Sequence, residues 1–345
     1  MAVKSEVYIP NPLTGTQEIH HFETELEQIE DMTSFAQALN KKSDAASMRS
    51  HLEVPANSTA TESAAGLMPA VDKVKVNNIV HSAEAHNGIF RGKDLTSYFA
   101  SGQMSTDIAN GKFDDIYIGD YITKTINLPA ITYTDKAGVE QTQAAQTFNN
   151  VKWLVGAIDP HIHCGDTETT AHHVLLIPAS TLQRNVSMNP TNTTEGGYVG
   201  SDMWRVHMPN WANAIKTAFG AAHVLKHREL LTNAVNATAP AGAGAGWVGT
   251  ASGWAWTDVE VNIPNEQMIY GGRVWGSGFD GGDFPRILPL YALKCSHLDD
   301  RSWFWLRAVA SASYFARAYG HGYASCSGAS NSYSTGGVRP YFLAH

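Results

Sequence analysis

The chain has 345 residues, a formal charge of −8, only 16% charged side chains and no Lys/Arg block, which excludes a phosphate-tracking nucleic-acid surface. No run of 18 apolar residues exists to span a bilayer as a helix, and the first fifteen residues lack the charged-then-apolar layout of a signal peptide. Three cysteines without framework spacing (Cys164, Cys295, Cys326) exclude a disulfide scaffold, so the fold must rest on a core fed by nine Trp, 13 Tyr and 12 Phe.

Residues 1–20 read as an extended arm with turn residues at Asn11, Pro12 and Gly15. From residue 21, Phe22, Leu26, Ile29, Met32 or Thr33, Ala36 and Leu39 recur at three-to-four spacing and predict a helix with a narrow, acidic-flanked apolar stripe. A short parallel coiled coil between identical chains would bury that stripe; packing on the downstream domain is the alternative. Residues 43–86 hold a Ser/Thr/Ala/Asn linker and then the block SAAGLMPAVDKVKV, and residues 87–345 form one larger domain.

Within that domain the alternating, Ile/Tyr/Thr-rich segment 113–134 predicts strands around a turn at Gly119-Asp120. NNVKWLVGAIDP and TTAHHVLLIPAS predict two more, the second ending at Pro178. Residues 208–235 predict a helix pair, with Trp211, Ile215 and Phe219 on one face and Leu225, Leu230, Leu231 and Val235 on the other. The glycines of 239–256 predict a flexible loop, and the class is mixed α+β.

Candidate chemistry is sparse. HIHCGD places His161, His163, Cys164 and Asp166 within six residues, near His172 and His173, and as a strand it would put His161 and His163 on one face. The segment reads better as a surface loop, without a Cys-x-x-Cys pair to support a metal. DGGDF (280–284) offers oxygens to calcium but lacks EF-hand spacing. No Gly-x-Ser-x-Gly elbow appears, and Asp299-Asp300 and Asp280/Asp283 are too close in sequence for a glycosidase carboxylate pair. The sequence therefore predicts no catalytic residue, no metal and no cofactor.

The stretch 311–335, SASYFARAYGHGYASCSGASNSYST, is different in kind. It holds seven Ser, five Ala, four Tyr and three Gly, without a Leu, Ile, Val, Met, Lys, Asp, Glu or Pro. A core strand needs branched aliphatics and a disordered tail carries more charge, whereas Tyr, Ser, Gly and Asn together make an adaptable contact surface. It sits between two stiff segments, RSWFWLRAVA and GGVRPYFLAH, whose aromatic residues predict buried strands. Pro340 is expected to limit the last of them at a sheet edge. Arg307 and Arg339 are expected to be structural, pairing with acids such as Asp299 or Asp300 or stacking on rings.

SAAGLMPAVDKVKV resembles an element repeated in phage tail fibres and collar proteins. The order SMNPTNTTEGGYVGSDMW, HVLKHRELLTNAV, SGWAWTDVEVNIPNEQMIYGGRVWG, RILPLYAL, DDRSWFWLRAVASASYFARAYG and GGVRPYFL resembles the C-type-lectin-fold domain (sulfatase-modifying-factor-like) that ends many phage receptor-binding and prophage surface proteins. Variable members of that group are diversified by retroelements, which turn asparagine-type codons into Tyr, Ser, His, Arg, Cys, Gly or Asp.

The resemblance implies a virion tail protein, a homotrimer held by its N-terminal helical and fibre-like segments (1–42 and 43–86). Residues 1–42 would also attach to other tail or baseplate proteins, and the lectin-like domain would grip a host bacterial surface protein or glycan. It further implies a receptor-binding set of Tyr314, Arg317, Tyr319, His321, Tyr323, Ser325, Cys326, Ser327, Ser330, Ser332 and Tyr333, with Ala316, Ala318, Ala324 and Ala329 pointing inward. A bacterial surface or secreted ligand-binding protein of the same fold is the alternative, and a polysaccharide-acting tail enzyme a more distant one. The related sulfatase-modifying enzymes depend on reactive cysteines, for which the three here lack an activating partner.

Overall fold

The computed structural model describes residues 3–10, 17–24, isolated positions between 34 and 52, 69–236, 251–277, 279–280, 284, 286–298, 301–332 and 336–345. Two compact units divide the chain, Met1–Asn77 and Asn78–His345. In the first, β1 (Val3–Pro10) and β2 (Gln17–Thr24) pair antiparallel, with Tyr8 opposite Ile19 and Ser5 opposite Phe22. The expected arm is thus a hairpin whose strands flank the predicted turn residues. The helix expected from residue 21 gives up its first four residues to β2, because cross-strand pairing overrides local periodicity there. Most of its remainder lies outside the described residues. The SAAGLMPAVDKVKV block ends in a helix, Ala70–His81, starting directly after Pro69, a residue suited to a helix start.

The second unit is mixed α+β and mostly sheet. Short helices Ala83–Asn87, Thr96–Ala100 and Gln103–Ala109 precede β3 (Tyr121–Leu128), β4 (Ile131–Thr134), β5 (Glu140–Gln143), β6 (Gln146–Ile158) and β7 (Val174–Pro178). Later come the helix Met208–Phe219, β8 (His227–Val235), β9 (Ala251–Val259), β10 (Val261–Asn262) and two one-turn helices, Glu266–Tyr270 and Pro289–Leu293. The chain closes with β11 (Trp303–Val309), β12 (Tyr314–Ala318), β13 (Ala324–Gly328), β14 (Gly336–Gly337) and β15 (Tyr341–Ala344).

A five-stranded antiparallel sheet, ordered β10-β15-β7-β6-β3, forms the centre. Its middle strands β7 and β15 are buried along their whole length, as continuous apolar runs require. Pro340 therefore does not mark an edge: it precedes a strand with neighbours on both sides, where no ladder donor is lost. Trp153, Phe219 and Phe342 pack edge-on at 4.9–5.6 Å and join this sheet to the helix Met208–Phe219.

Half of the predicted helix pair is a strand. Gly220, at φ +98°, ends the helix, and β8 follows, paired with β9 from His227 opposite Val259 to Val235 opposite Ala251. Leu230, Leu231 and Val235 suit either period, and pairing with Trp256, Ala255 and Ala251 downstream decides the outcome. β9 itself occupies part of the predicted glycine loop; the rest of that loop, 239–250, lies outside the described residues.

A second sheet carries the C-terminal stretch in the order β13-β12-β11-β14. β11 is buried at every residue and runs antiparallel to β12 and parallel to β14. Gly336 is required by close approach, because a Cβ there would come within 1.8 Å of the Trp303 ring. The first glycine of GGVRPYF thus seats the indole that anchors the sheet, and the second, Gly337, lies against the backbone of Leu182 and Gln183.

Candidate recognition surface

β12 and β13 form a hairpin in which Arg317 faces Ser325 and Ala318 faces Ala324. Its turn, Tyr319-Gly-His-Gly-Tyr323, closes with the Tyr319 N–H donating to the Tyr323 carbonyl (3.0 Å) and the Gly322 N–H to Tyr319 (2.7 Å). Gly322 sits at φ +80°, and Gly320 packs so closely on the Arg301 backbone that a Cβ would lie 2.9 Å from its carbonyl carbon. Two glycines on either side of His321 therefore lift the imidazole to the surface.

The hairpin end carries a contiguous set of side chains. The Tyr319 and Tyr323 rings stack at 4.8 Å and 30°, with His321 tilted 6.1 Å from Tyr319. The Arg317 guanidinium lies 4.9 Å from the Trp303 ring and 5.1 Å from that of Tyr319, and its Nε donates to Ser325 Oγ at 3.4 Å. Tyr323 is 54% exposed and His321 is exposed, while Arg317, Tyr319 and Ser325 are half-buried. Beneath them Phe315, Ala316, Ala318, Trp303 and Trp305 are buried, and Trp305 Nε1 donates to the Val186 carbonyl at 2.9 Å. Cation–π stacking on a buried indole helps to fix Arg317 in place.

The remaining predicted contacts divide. Tyr314 and Cys326 are half-buried, and burial pushes the Cys326 thiol up. Ser330 gives both its N–H (3.1 Å) and its Oγ–H (2.8 Å) to Asn192 Oδ1, which pins the chain after β13. Ser332 is exposed; Tyr333 lies outside the described residues. Ser327 is only 3% exposed and accepts from Asn331, so its hydroxyl belongs to the hairpin interior and not to a contact surface. Of the alanines expected to point inward, Ala316, Ala318 and Ala329 are fully buried and Ala324 is half-buried.

Ser330 and Ser332 border a polar cleft of about 280 Å³ whose other walls include Tyr133, Gln141, Asp202 and His207. His207 is buried, its ring meets Tyr133 edge-on at 5.8 Å, and burial pushes its pKa down to about 4. These wall residues come from segments 133–207, and nothing in their local pattern announces the meeting. A larger cleft, about 590 Å³, is lined by residues that include Trp204, Met208, Lys226 and Asp258 and by no residue of the hairpin.

The platform arginines are both buried. Arg339 lies 4.6 Å from the Phe304 ring, and Arg307 pairs with Glu229, an acid that sequence proximity did not suggest; Asp299 and Asp300 lie outside the described residues. The HIHCGD cluster is a turn and is dispersed. His161 is fully buried, whereas His163, at φ +58°, faces solvent, so the two do not share a strand face. Asp166 binds Arg228 at 2.7 and 2.8 Å, and His172 pairs with Asp159 at 2.7 Å. At the calcium-like segment, Asp280 accepts from Thr232, from Trp254 (2.9 Å) and from the Ser277 N–H (3.0 Å). Asp283 lies outside the described residues.

The chain matches no protein-family model, and neither the curated proteins nor the solved structures contain one significantly similar to it. Among the described residues, no helix is long and apolar enough to cross a membrane.

Proposed function

We propose that the protein is a phage or prophage tail receptor-binding protein. In this reading, residues 87–345 are a C-type-lectin-like domain of the retroelement-diversified kind, which grips a host bacterial surface protein or glycan. The observation that carries the reading is the hairpin end. Arg317, Tyr319, His321, Tyr323 and Ser325 form one accessible surface on a sheet whose central strand is wholly buried. A platform of that kind loses little further entropy on binding, and Tyr and Arg are the side chains that dominate binding energy. The N-terminal segments serve tail attachment and homotrimerisation, so that weak single contacts add up to firm adhesion.

The test is binding of the labelled full chain to a panel of gut-bacterial cells and envelope fractions. Adhesion to particular strains is expected. It should be lost when Tyr319, His321 and Tyr323 are replaced together by Ala, with the melting temperature kept within a few degrees. Adhesion that survives this replacement removes the hairpin from the interface, and release of reducing ends from the envelope would point instead to an enzyme.

A further inference from the structure

The core of the second unit holds a cluster that recognition does not use. His161 is fully buried, and neither of its ring nitrogens has a hydrogen-bond partner. Its ring lies 4.7 Å from that of His227. His227 Nε2 is 2.6 Å from Glu229 Oε1, while its Nδ1 is buried and also without a partner. Glu229, itself fully buried, further accepts from the Tyr341 hydroxyl (2.5 Å), Asn262 Nδ2 (2.7 Å) and Arg307.

Three orphaned imidazole nitrogens side by side are a costly arrangement in an interior. A buried polar group without a partner costs about 1–3 kcal/mol. Burial holds His161 neutral, and the nearby His227 adds to that effect, so a ring lone pair is free to act as a ligand. Burial also opposes charge on Glu229, but Arg307 and His227 keep it ionised. We propose that His161, His227 and Glu229 bind one divalent transition-metal ion of the zinc class.

Two further observations fit that ligand set. One donor atom from each residue already lies within 4.8 Å of the others. Tetrahedral ligands at 2.0–2.1 Å stand about 3.3 Å apart, so ordinary side-chain rotation closes the site. The second oxygen of Glu229, held by Arg307 and Asn262, fixes the carboxylate as an outer shell does around a metal ligand. This assigns a metal where sequence alone predicted none. It needs both strand β8 and the turn after β6, which no local spacing connects.

The experiment uses the full chain, stripped with a chelator and titrated with Zn²⁺ and with Co²⁺ as a spectroscopic probe. One equivalent per chain should bind, with a visible Co²⁺ absorption band and a melting midpoint several degrees higher at about 100-fold excess over Kd. His161→Leu should abolish the band and the shift, yet its metal-free form should melt at or above the metal-free parent, because an orphaned polar group has been removed. His161→Phe, which packs toward Phe284 5.3 Å away, serves if the leucine variant misfolds. His163→Ala, altering an exposed histidine, should bind as the parent does. Absence of tight uptake by the parent chain, or equal uptake by the His161 variants, overturns the site and leaves a bridging water as the partner of these nitrogens.

Discussion

β11 and β13 flank the same strand, β12, and could hardly differ more. β11 reads Trp-Phe-Trp-Leu-Arg-Ala-Val and is buried throughout; β13 reads Ala-Ser-Cys-Ser-Gly and is half-buried until its last two residues. Both obey the same backbone ladder, so the sheet does not require either composition. Side-chain burial separates them: one strand supplies most of the apolar contact, and the other only has to be small enough to pair. The half-buried side chains at the start of β13 and the side chains of His321 and Tyr323 in the turn can therefore change with little effect on folding, which a recognition surface needs.

Breaking the β11 side should have the largest effect. Trp305→Ala removes a fully buried indole and its bond to the Val186 carbonyl, and should cost about 3–5 kcal/mol, measured by chemical denaturation. Glu229→Gln keeps the shape but leaves Arg307 buried without its carboxylate. A loss of about 3 kcal/mol is expected, since unpairing a buried charge is more costly than its pairing is favourable. A loss below about 1 kcal/mol in either variant would mean that this region is not the platform.

How much of this was legible depends on the range of the interaction. The buried runs of β7 and β15, the helix Met208–Phe219 and the small, tyrosine-rich make-up of the hairpin are local patterns, and the sequence displays them. β8 has a helix-compatible sequence because Leu230, Leu231 and Val235 fit both periods, and its partner β9 lies beyond the glycine-rich segment. The Arg307–Glu229 pair spans 78 residues, and a sequence reading limited to neighbouring acids could not find it. Ser327 looked like any other serine of the stretch; its burial follows from Asn331 folding back over it. HIHCGD offers four ligand-type residues, of which one, His161, is buried in the interior. The signal there was the adjacent apolar strand β6, which carries its last side chains, and then His161, into the core.

A pH-resolved effect separates the cleft wall from the hairpin. The pKa of His207 is pushed down to about 4 by burial, from an ordinary value near 6.5, so the unfolded chain binds a proton there before the folded one does. Its contribution is fully present above about pH 6.5 and is lost as pH falls toward 4, at about 1.4 kcal/mol per pH unit. His207→Gln should flatten the dependence of stability on pH by that slope between about pH 6 and 4.5. An unchanged slope would mean that His207 is solvated and the cleft open to its base.

The smallest effect on folding should come from the hairpin end itself. Tyr323→Ala removes a ring that is 54% exposed and stacked on Tyr319, and the backbone bond that closes the turn uses the residue 323 carbonyl, which alanine retains. Stability should change by no more than about 0.5 kcal/mol, while adhesion to a responsive strain falls at least tenfold. A ring that matters for folding would show the reverse, a clear drop in denaturation midpoint with adhesion unchanged per folded molecule. The tyrosine would then belong with β11 as part of the frame. Because the same substitution is read in both assays, it decides on which side of β12 the boundary between frame and contact surface lies.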